Sequence, residues 1–348
     1  MNSEGYTQKP ASLHPMDDRL HALDAWLRTA LAGAPFRIER ASADASFRRY
    51  FRVFPDGAVS LIAMDAPPGR EDCGAFVHVA RLFRDAGLNA PEVIAQDLEQ
   101  GFLLLTDLGT RTYMAAMREG DDVDRLFADA TTALVRWQDS SREGELPTYD
   151  EALLRRELQL FPDWYLAKHL GLELTPAQRS SLEDVFKAIL ARNLAEPRVF
   201  VHRDYMPRNL MCANPNPGIL DFQDAVHGPL SYDIASLYRD AFISWEEERV
   251  LDGTIRWWEK ARKAGLPVRD DFAEQWRDVE WMGLQRHLKV AGIFARLHHR
   301  DAKQGYLEDT PRFIGYIRHA AGRYRELAPL CRLLDQVEGR EARAGYTF

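Results

Sequence analysis

The stretch VFVHRDYMPRNLMCANPNPGILDFQD, from Val199 to Asp224, contains two short apolar runs that each lead to polar side chains. The first run leads into Asp204, Asn209 follows five residues later, and the second run ends at Asp221. Two carboxylates and one amide therefore lie at the ends of predicted strands, where a rigid scaffold can hold functional side chains in fixed positions.

The connection between the two runs predicts how these side chains meet. Residues 213–218, ANPNPG, have the composition of a tight turn, so we expect residues 210–212 to pair with residues 219–221. Asn209 and Asp221 would then lie side by side. An amide oxygen and a carboxylate at one point suit Mg²⁺, which prefers oxygen ligands.

Asp204 stands apart from that pair. The spacing H-R-D-x-x-x-x-N, followed by a strand that ends in Asp, matches the catalytic loop and metal-binding aspartate of kinases, with LDF in place of DFG. Taken singly, Asp204 and Asn209 would be turn-forming residues and Asp221 a strand cap. Their joint spacing favours a catalytic role over a structural one, and Asp204 would then accept a proton from a substrate hydroxyl.

The bulk composition limits the function classes. The chain has 348 residues, of which 46% are hydrophobic, enough for two lobes with substantial cores. Its net charge of −8, without a long basic run, excludes nucleic acid and anionic membrane surfaces as preferred partners. A small molecule remains the expected partner.

The cysteines and the N-terminus indicate where the protein works. Three cysteines at positions 73, 212 and 331 form no CxxC pair, which argues against disulfides and structural zinc. No segment reaches eighteen apolar residues, and the polar residues 1–15 predict a loose tail rather than a targeting sequence. We expect a cytoplasmic monomer.

Residues 16–107 predict a small antiparallel lobe that begins with an amphipathic helix, 16–32. The short β-branched and aromatic runs predict five strands with one helix inserted after the third. The predicted strands are 36–40, 50–54, 59–64, 92–95 and 102–106, and the inserted helix is 74–86. Residues 107–109, Asp-Leu-Gly, form a plausible hinge.

Residues 108–348 predict a larger and mainly helical lobe, because apolar residues recur at helical spacing over most of its length. Pro162 fits the first turn of a helix, and 175–178, TPAQ, has the spacing of a capping box. After the 199–224 stretch, four helices are predicted at 232–242, 254–263, 272–298 and 310–334. The expected fold class is therefore α+β, with a bilobal protein-kinase-like arrangement.

The order of these elements, together with HRDYMPRN and ILDFQD, resembles the aminoglycoside phosphotransferase family, a branch of the protein-kinase-like fold, over roughly residues 36–299. Within it, the segments ADASFRRYFRV, IAMDAPP, GFLLLTDLG and FPDWYLAKHLG look like the bacterial anomeric kinases of cell-wall sugars. The resemblance implies transfer of phosphate from ATP to the anomeric hydroxyl of N-acetylmuramate or N-acetylglucosamine.

The resemblance also implies residue roles. Asp204 would be the catalytic base, and Asn209 and Asp221 would hold Mg²⁺ with the ATP phosphates. Asp233 would brace the loop that carries Asp204.

In the first lobe, the resemblance implies that the backbone of Asp107 and Leu108 holds the adenine edge. The phosphate loop ADASF has Ala43 where a glycine is expected, so its backbone approaches phosphate less easily. Ser46 lies in this loop and is included among the predicted nucleotide ligands.

One departure from the kinase pattern concerns charge. The third strand carries Ala63 or Met64 where a lysine normally meets the α- and β-phosphates, and the following predicted helix contains no glutamate to pair with it. Arg48 and Arg49 are the nearest replacement cations, and we expect one of them to bind phosphate bidentately. The alternative is that both lie on a solvated strand face.

For the sugar, the candidates are Trp164, Tyr165, Arg286 and His287. An aromatic face can stack on a pyranose, and an arginine can pair with the lactyl carboxylate of a muramyl sugar. Alternatively, the aromatic residues belong to a helix core, and Arg286 and His287 lie on a solvated helix face.

Two functional alternatives stay open at this stage. The same fold could phosphorylate another small hydroxyl substrate, such as an aminoglycoside, choline or homoserine. The absent lysine and glutamate would also fit a nucleotide-binding pseudokinase that acts as an interaction module, although the joint presence of Asp204, Asn209 and Asp221 argues against it.

Overall fold

The computed structural model describes residues 15–43 and 47–339. Apart from Pro15, which begins the first helix, the predicted tail falls outside the described residues, and so does Ser46. The chain divides into two compact units. One contains the residues up to Arg81 together with Pro91–Leu108, and the other contains Leu82–Ala90 together with the residues from Gly109 onward.

The first unit is built on a five-stranded antiparallel sheet with the strand order β1-β2-β3-β5-β4. The strands are β1 Phe36–Ala43, β2 Arg49–Pro55, β3 Leu61–Asp65, β4 Val93–Asp97 and β5 Phe102–Thr106. Helix α1, Pro15–Ala30, precedes the sheet, and helix α2, Cys73–Asp85, follows β3.

Helix α1 covers one face of this sheet. Its Leu23 and Leu27 are fully buried against alternate residues of the central strands, which are Phe51, Val53, Ala63, Phe102 and Leu104. Since side chains alternate between the two faces of a strand, the intervening positions, among them Tyr50, Arg52 and Met64, lie on the opposite face. Arg49 is paired with Asp65 in the β2–β3 register and shares the α1 face.

The second unit is mainly helical, with two short antiparallel ribbons, β6–β9 and β7–β8. Its strands are β6 Arg198–Val201, β7 Leu210–Met211, β8 Gly218–Ile219 and β9 Val226–Pro229. Its helices are α3 Tyr113–Arg118, α4 Val123–Asp139, α5 Glu151–Leu158, α6 Pro176–Leu194, α7 Tyr232–Tyr238, α8 Glu247–Ala264, α9 Phe272–His299, α10 Thr310–Arg323 and α11 Ala328–Glu338. A π-helical segment, Phe161–His169, lies between α5 and α6.

The predicted α+β class, with five antiparallel strands and a largely helical remainder, is confirmed. The single helix predicted over 310–334 is wrong, because Tyr324 is extended and separates α10 from α11, which has a proline in its first turn. The predicted helix 232–242 ends at Tyr238 instead. Strand β9 and helix α3 have no counterpart in the sequence predictions because they are too short to show a periodic pattern.

Two further properties concern the whole described chain. Within residues 15–43 and 47–339, every helix is too short or too polar to cross a bilayer. The cysteines, all of them described, carry free thiols.

Helix α9 is buried along most of its 28 residues, and Gly292 lets it approach the segment before the π-helix closely. A Cβ at Gly292 would lie 2.4 Å from the backbone of Leu160.

We therefore expect Gly292→Ala to lower the free energy of unfolding by about 1–3 kcal/mol in urea denaturation, because the backbone must move. Gly315→Ala is the control: a Cβ there meets open space in α10, so a gain of up to about 1 kcal/mol is expected. Equal losses would contradict this packing.

Glu196, between α6 and β6, accepts the Ser231 backbone N–H at 2.9 Å. Burial, with the negative charge of Asp278 nearby, raises the pKa of Glu196 to about 8. The folded state therefore keeps a proton that the unfolded chain has released above its ordinary carboxyl pKa of about 4.3, so stability falls as pH rises from there toward 8. We expect Glu196→Gln to reduce this loss between pH 5 and pH 8 in urea titrations, whereas exposed Glu173→Gln leaves it unchanged. An identical pH dependence in wild type and Glu196→Gln would contradict the shift.

Candidate active site

The β6–β9 ribbon delivers the 202–209 loop, which runs from His202 to Asn209. Residues Val199, Phe200 and Val201 of β6 are buried, so the polar residues begin where the apolar strand ends. His202 itself is fully buried, and burial lowers its pKa to about 4. The ring is therefore neutral at physiological pH.

The neutral His202 ring connects the two halves of the site. Its Nε2 lies 3.0 Å from the Leu220 carbonyl, and its Nδ1 lies 3.3 Å from the Asp204 backbone nitrogen. A carbonyl only accepts and a backbone N–H only donates, so these partners assign the proton to Nε2. His202 thus fixes the backbone of Asp204 relative to the residue that precedes Asp221.

Asp233, in the first turn of α7, holds the start of the loop. Its carboxylate accepts the backbone N–H groups of His202, at 2.7 Å, and Arg203, at 3.0 Å. Burial raises the pKa of Asp233 to about 7. The loop turns sharply here, with Arg203 at a φ of +76°, a conformation that a non-glycine residue keeps only when its surroundings hold it.

A buried ion network lies behind the loop. The Arg203 guanidinium pairs with Glu157 of α5, and Lys289 of α9 pairs with the same carboxylate at 3.0 Å. Tyr149 donates its hydroxyl to Glu157, while Lys289 lies 3.1 Å from the Tyr232 hydroxyl. Glu157 therefore holds Arg203, while Lys289 and Tyr149 hold Glu157. The sequence predictions missed this network.

The surrounding cations act on Asp204. Burial alone would raise the pKa of the Asp204 carboxyl, but the charges of Lys289, Arg286 and Arg203 outweigh it, so the pKa lies below its ordinary value. Asp204 is therefore an ionised carboxylate at neutral pH, able to accept a hydrogen bond or a proton.

Asn209 and Asp221 meet as the strand pairing predicts, since Leu210 pairs with Ile219. The Asn209 side-chain nitrogen donates to the Asp204 carbonyl at 2.9 Å and to Asp221 Oδ2 at 3.3 Å. Asp221 adopts a φ of +62° and is exposed. Because its nitrogen makes both contacts, the amide oxygen of Asn209 and the Asp221 carboxylate are the oxygen atoms that this pair can offer to a metal. This donor set fits a hard divalent cation.

Arg286 and His287 are only 1% and 3% exposed, so the solvated-face interpretation of these two residues is wrong. Between Gln275 and Ala295, helix α9 buries nearly its whole circumference, including its charged residues Asp278, Glu280 and Lys289. Burial lowers the pKa of His287 well below its ordinary value, and its ring lies 4.8 Å from that of Tyr316. Arg286 donates to the Arg239 carbonyl at 3.4 Å, and its positive charge contributes to lowering the pKa of Asp204.

The aromatic sugar candidates lie on the π-helical segment. Trp164 and Tyr165 are both half-buried. The Tyr165 ring stacks on Phe161, with 5.4 Å between centroids and 22° between planes. One face of Tyr165 is thus used in packing, and its role toward a sugar stays a prediction.

The nucleotide candidates lie in the first unit. The Asp107 carboxylate is bound by Arg52, at 2.6 Å, and by Ser60, at 2.8 Å. The predicted adenine contact therefore concerns only the backbone of Asp107 and Leu108. Arg49 binds the fully buried Asp65 carboxylate, which also binds Arg19 of α1. This position on the α1 face argues against a phosphate role for Arg49.

A second group of possible metal ligands occurs elsewhere in the second unit. Glu247, Glu280 and His319 have ligand atoms within 4.8 Å of one another. Arg323 already occupies their ligand atoms, with contacts to Glu280 at 3.1 Å and to His319 at 2.7 Å and an ion pair to Glu247. We assign no metal to this group.

Comparison with known proteins finds relatives that match this chain over nearly its full length. A curated N-acetylmuramate/N-acetylglucosamine kinase of Pseudomonas aeruginosa is 51% identical over 337 residues, which covers 94% of this chain and 99% of that protein. A kinase of the same name from Neisseria meningitidis is 50% identical over 331 residues, covering 94% and 98%. The similarity therefore spans nearly the full length of both proteins.

Solved structures with low sequence identity share the fold. Plasmodium vivax ethanolamine kinase has a TM-score of 0.60 at 9% identity, covering 88% of this chain and 96% of that one. An aminoglycoside 2'-phosphotransferase in complex with GDP has a TM-score of 0.59 at 14% identity, covering 88% and 100%.

The family model described as the phosphotransferase enzyme family matches residues 37–272, which include the 202–209 loop and Asp221. Its members transfer phosphate to a hydroxyl group, which implies a nucleoside triphosphate such as ATP as the donor, usually with a divalent metal. On this match and the near-full-length similarity to the two kinases, the chain belongs to the phosphotransferase enzyme family.

Proposed function

We propose that this protein is an ATP-dependent kinase that transfers the γ-phosphoryl group to the anomeric hydroxyl of N-acetylmuramate and N-acetylglucosamine. The proposal is supported by about 50% identity, over 94% of the chain, to kinases of that name. The contacts among Asp204, Asn209 and Asp221 provide the side chains that such a reaction needs. A use of ATP and of recycled cell-wall sugars fits the cytoplasm, and the proposed working form is a monomer.

In this proposal Asp204 orients the sugar hydroxyl and accepts its proton as the oxygen attacks phosphorus in line. The lowered pKa of Asp204 supports this role, because the carboxylate is ionised before the hydroxyl arrives. Asp233 and His202 hold the loop backbone, so that the carboxylate need not reorganise during transfer.

Asn209 and Asp221 would hold Mg²⁺, which, when bound, would neutralise negative charge on the phosphates of ATP. Gln223 donates to Asp221 Oδ1 at 2.8 Å and so orients the carboxylate. The backbone of Asp107 and Leu108 would hold the adenine edge.

The sugar would be recognised by residues of the second unit. Trp164 or Tyr165 offers an aromatic face for the pyranose ring, and Arg286 offers a cation for the lactyl carboxylate of N-acetylmuramate. His287, which is neutral and buried, would support Arg286 rather than carry charge.

The test is release of ADP with MgATP and a panel of five acceptors: N-acetylmuramate, N-acetylglucosamine, kanamycin, choline and homoserine. Turnover with the two amino sugars, at least about 100-fold above that with the others in kcat/KM, is expected. Preference for choline, homoserine or kanamycin would overturn the proposed substrate, and turnover with none of the five would favour the pseudokinase alternative.

A further inference from the structure

The first unit lacks the cation that kinases of this fold place on the third strand. In β3, both Ala63 and Met64 are apolar and fully buried. Helix α2, whose sequence is CGAFVHVARLFRD, contains no glutamate that could pair with a strand lysine. Because this lysine–glutamate pair positions the donor phosphates, the phosphate contact must come from other residues if the chain is to act as a kinase.

The pleat of β2 separates the two adjacent arginines. Arg49 lies on the α1 face, where Asp65 binds it together with Arg19. Arg48 directly precedes β2 and lies one residue outside the paired register, so the alternation of the strand, continued by one residue, would place it on the side opposite α1, with Tyr50 and Met64. Met64 is one of the two positions at which the lysine would otherwise stand.

Arg48 forms an ion pair with Glu71. Its Nη2 lies 2.8 Å from Glu71 Oε2, and the two side chains are only 10% and 11% exposed. The other oxygen of Glu71 accepts the Phe47 backbone N–H at 3.2 Å. Glu71 lies in the connection between β3 and α2, only two residues before the helix. One carboxylate thus fixes both the backbone that leads to Arg48 and the arginine head group.

Arg48 and Glu71 supply a cation and an acid, as the lysine–glutamate pair of kinases does, but from different elements of the fold. The cation comes from the start of β2 instead of the middle of β3, and the acid comes from the segment before α2 instead of the helix itself. A guanidinium has five N–H donors, so it can keep its contact with Glu71 while it donates to phosphate oxygens.

We propose that Arg48, positioned by Glu71, binds the phosphates of the nucleotide and takes the place of the absent third-strand lysine. This inference rests on the proposed kinase function. Its ligand class is a nucleoside di- or triphosphate, and Glu71 is a positioning residue that acts through Arg48.

The test separates phosphate binding from folding by titrating adenosine, AMP and ADP, each with Mg²⁺, into the full chain by calorimetry. Arg48→Met is expected to weaken ADP binding by about 10- to 100-fold and to leave the adenosine affinity within twofold, since charge-assisted hydrogen bonds to phosphate are lost. Arg48→Lys should recover part of the loss. Arg40→Met, which removes an exposed arginine from β1 of the same sheet, is the control and should bind ADP like wild type.

Glu71→Gln keeps the size of the side chain but not its charge, and it is expected to weaken ADP binding by about 3- to 10-fold and to raise KM for ATP more than it lowers kcat. Unchanged ADP affinity in Arg48→Met would overturn the inference, as would an equal loss for adenosine and ADP, which would indicate a purely structural ion pair. These titrations contain no sugar. If ADP affinity depended on Arg48 but none of the five acceptors were phosphorylated, the proposed sugar-kinase function would be refuted and the role of Arg48 would stand.

Discussion

Replacement of Asp204 by alanine is expected to lower kcat by about 10²- to 10⁴-fold while the affinity for MgADP stays within about twofold of wild type. The carboxylate is ionised because Lys289, Arg286 and Arg203 together outweigh its burial, and the loop backbone that carries it is held by Asp233. Its removal takes away the proton acceptor without touching the Asn209–Asp221 pair. The measurement is steady-state ADP release combined with calorimetric titration of MgADP.

The matched control is Asp224→Ala. Asp224 is exposed in the same stretch of sequence, and its contact with Arg203 uses the backbone carbonyl, which the substitution keeps. It should therefore retain kcat within about threefold. Near-normal turnover in Asp204→Ala would contradict the assignment of the base, and an equal loss in both variants would indicate a general charge effect of the segment.

Replacement of Glu157 by alanine is expected to cost about 3–5 kcal/mol in the free energy of unfolding, the largest stability effect that we anticipate. Glu157 is the shared partner of Arg203 and Lys289, and all three side chains are largely buried. Without it, two positive charges remain near each other away from water, and the Tyr149 hydroxyl loses its acceptor. Urea denaturation at pH 7 measures the loss.

Glu183→Ala provides the comparison for this prediction. Glu183 also pairs with an arginine of α5, Arg155, but the two side chains are 41% and 37% exposed. Exposed pairs contribute about 0–1 kcal/mol, so a loss in that range is expected. If Glu157→Ala were no more destabilising than Glu183→Ala, the network would not be holding Arg203 and the loop as described.

The local features of the site could be predicted because sequence spacing alone determines them. The turn residues between β7 and β8 set the pairing of Leu210 with Ile219, and that pairing brings Asn209 beside Asp221. The alternation of short β-branched runs, interrupted once by a helical period, likewise predicted the five-stranded sheet.

The ion network and the buried state of Arg286 could not be predicted in the same way. Glu157 and Lys289 are 132 positions apart, and each stands on a helix where a charged residue ordinarily marks the solvent side. Only the packing of α9 against other helices on most sides turns these positions inward. A buried charge becomes recognisable in sequence only when its distant partner is known.

The two arginines of the first unit illustrate a different limit. Arg48 and Arg49 are neighbours, so the period of a strand predicts that they face opposite sides. Which side α1 covers follows from Leu23 and Leu27 packing on Phe51 and its neighbours, a contact that no local pattern specifies. Glu71 could not be predicted for a related reason, since the lysine–glutamate pattern of kinases places the acid in the helix, whereas Glu71 lies in the segment before α2.

We propose that phosphate passes to the anomeric oxygen of an amino sugar. The most direct measurement is the phosphorus NMR spectrum of the product formed from MgATP and N-acetylglucosamine. We predict a single sugar phosphate whose phosphorus couples to the anomeric proton and which releases inorganic phosphate in mild acid. An acid-stable ester whose phosphorus couples instead to the protons at carbon 6 would contradict the claim.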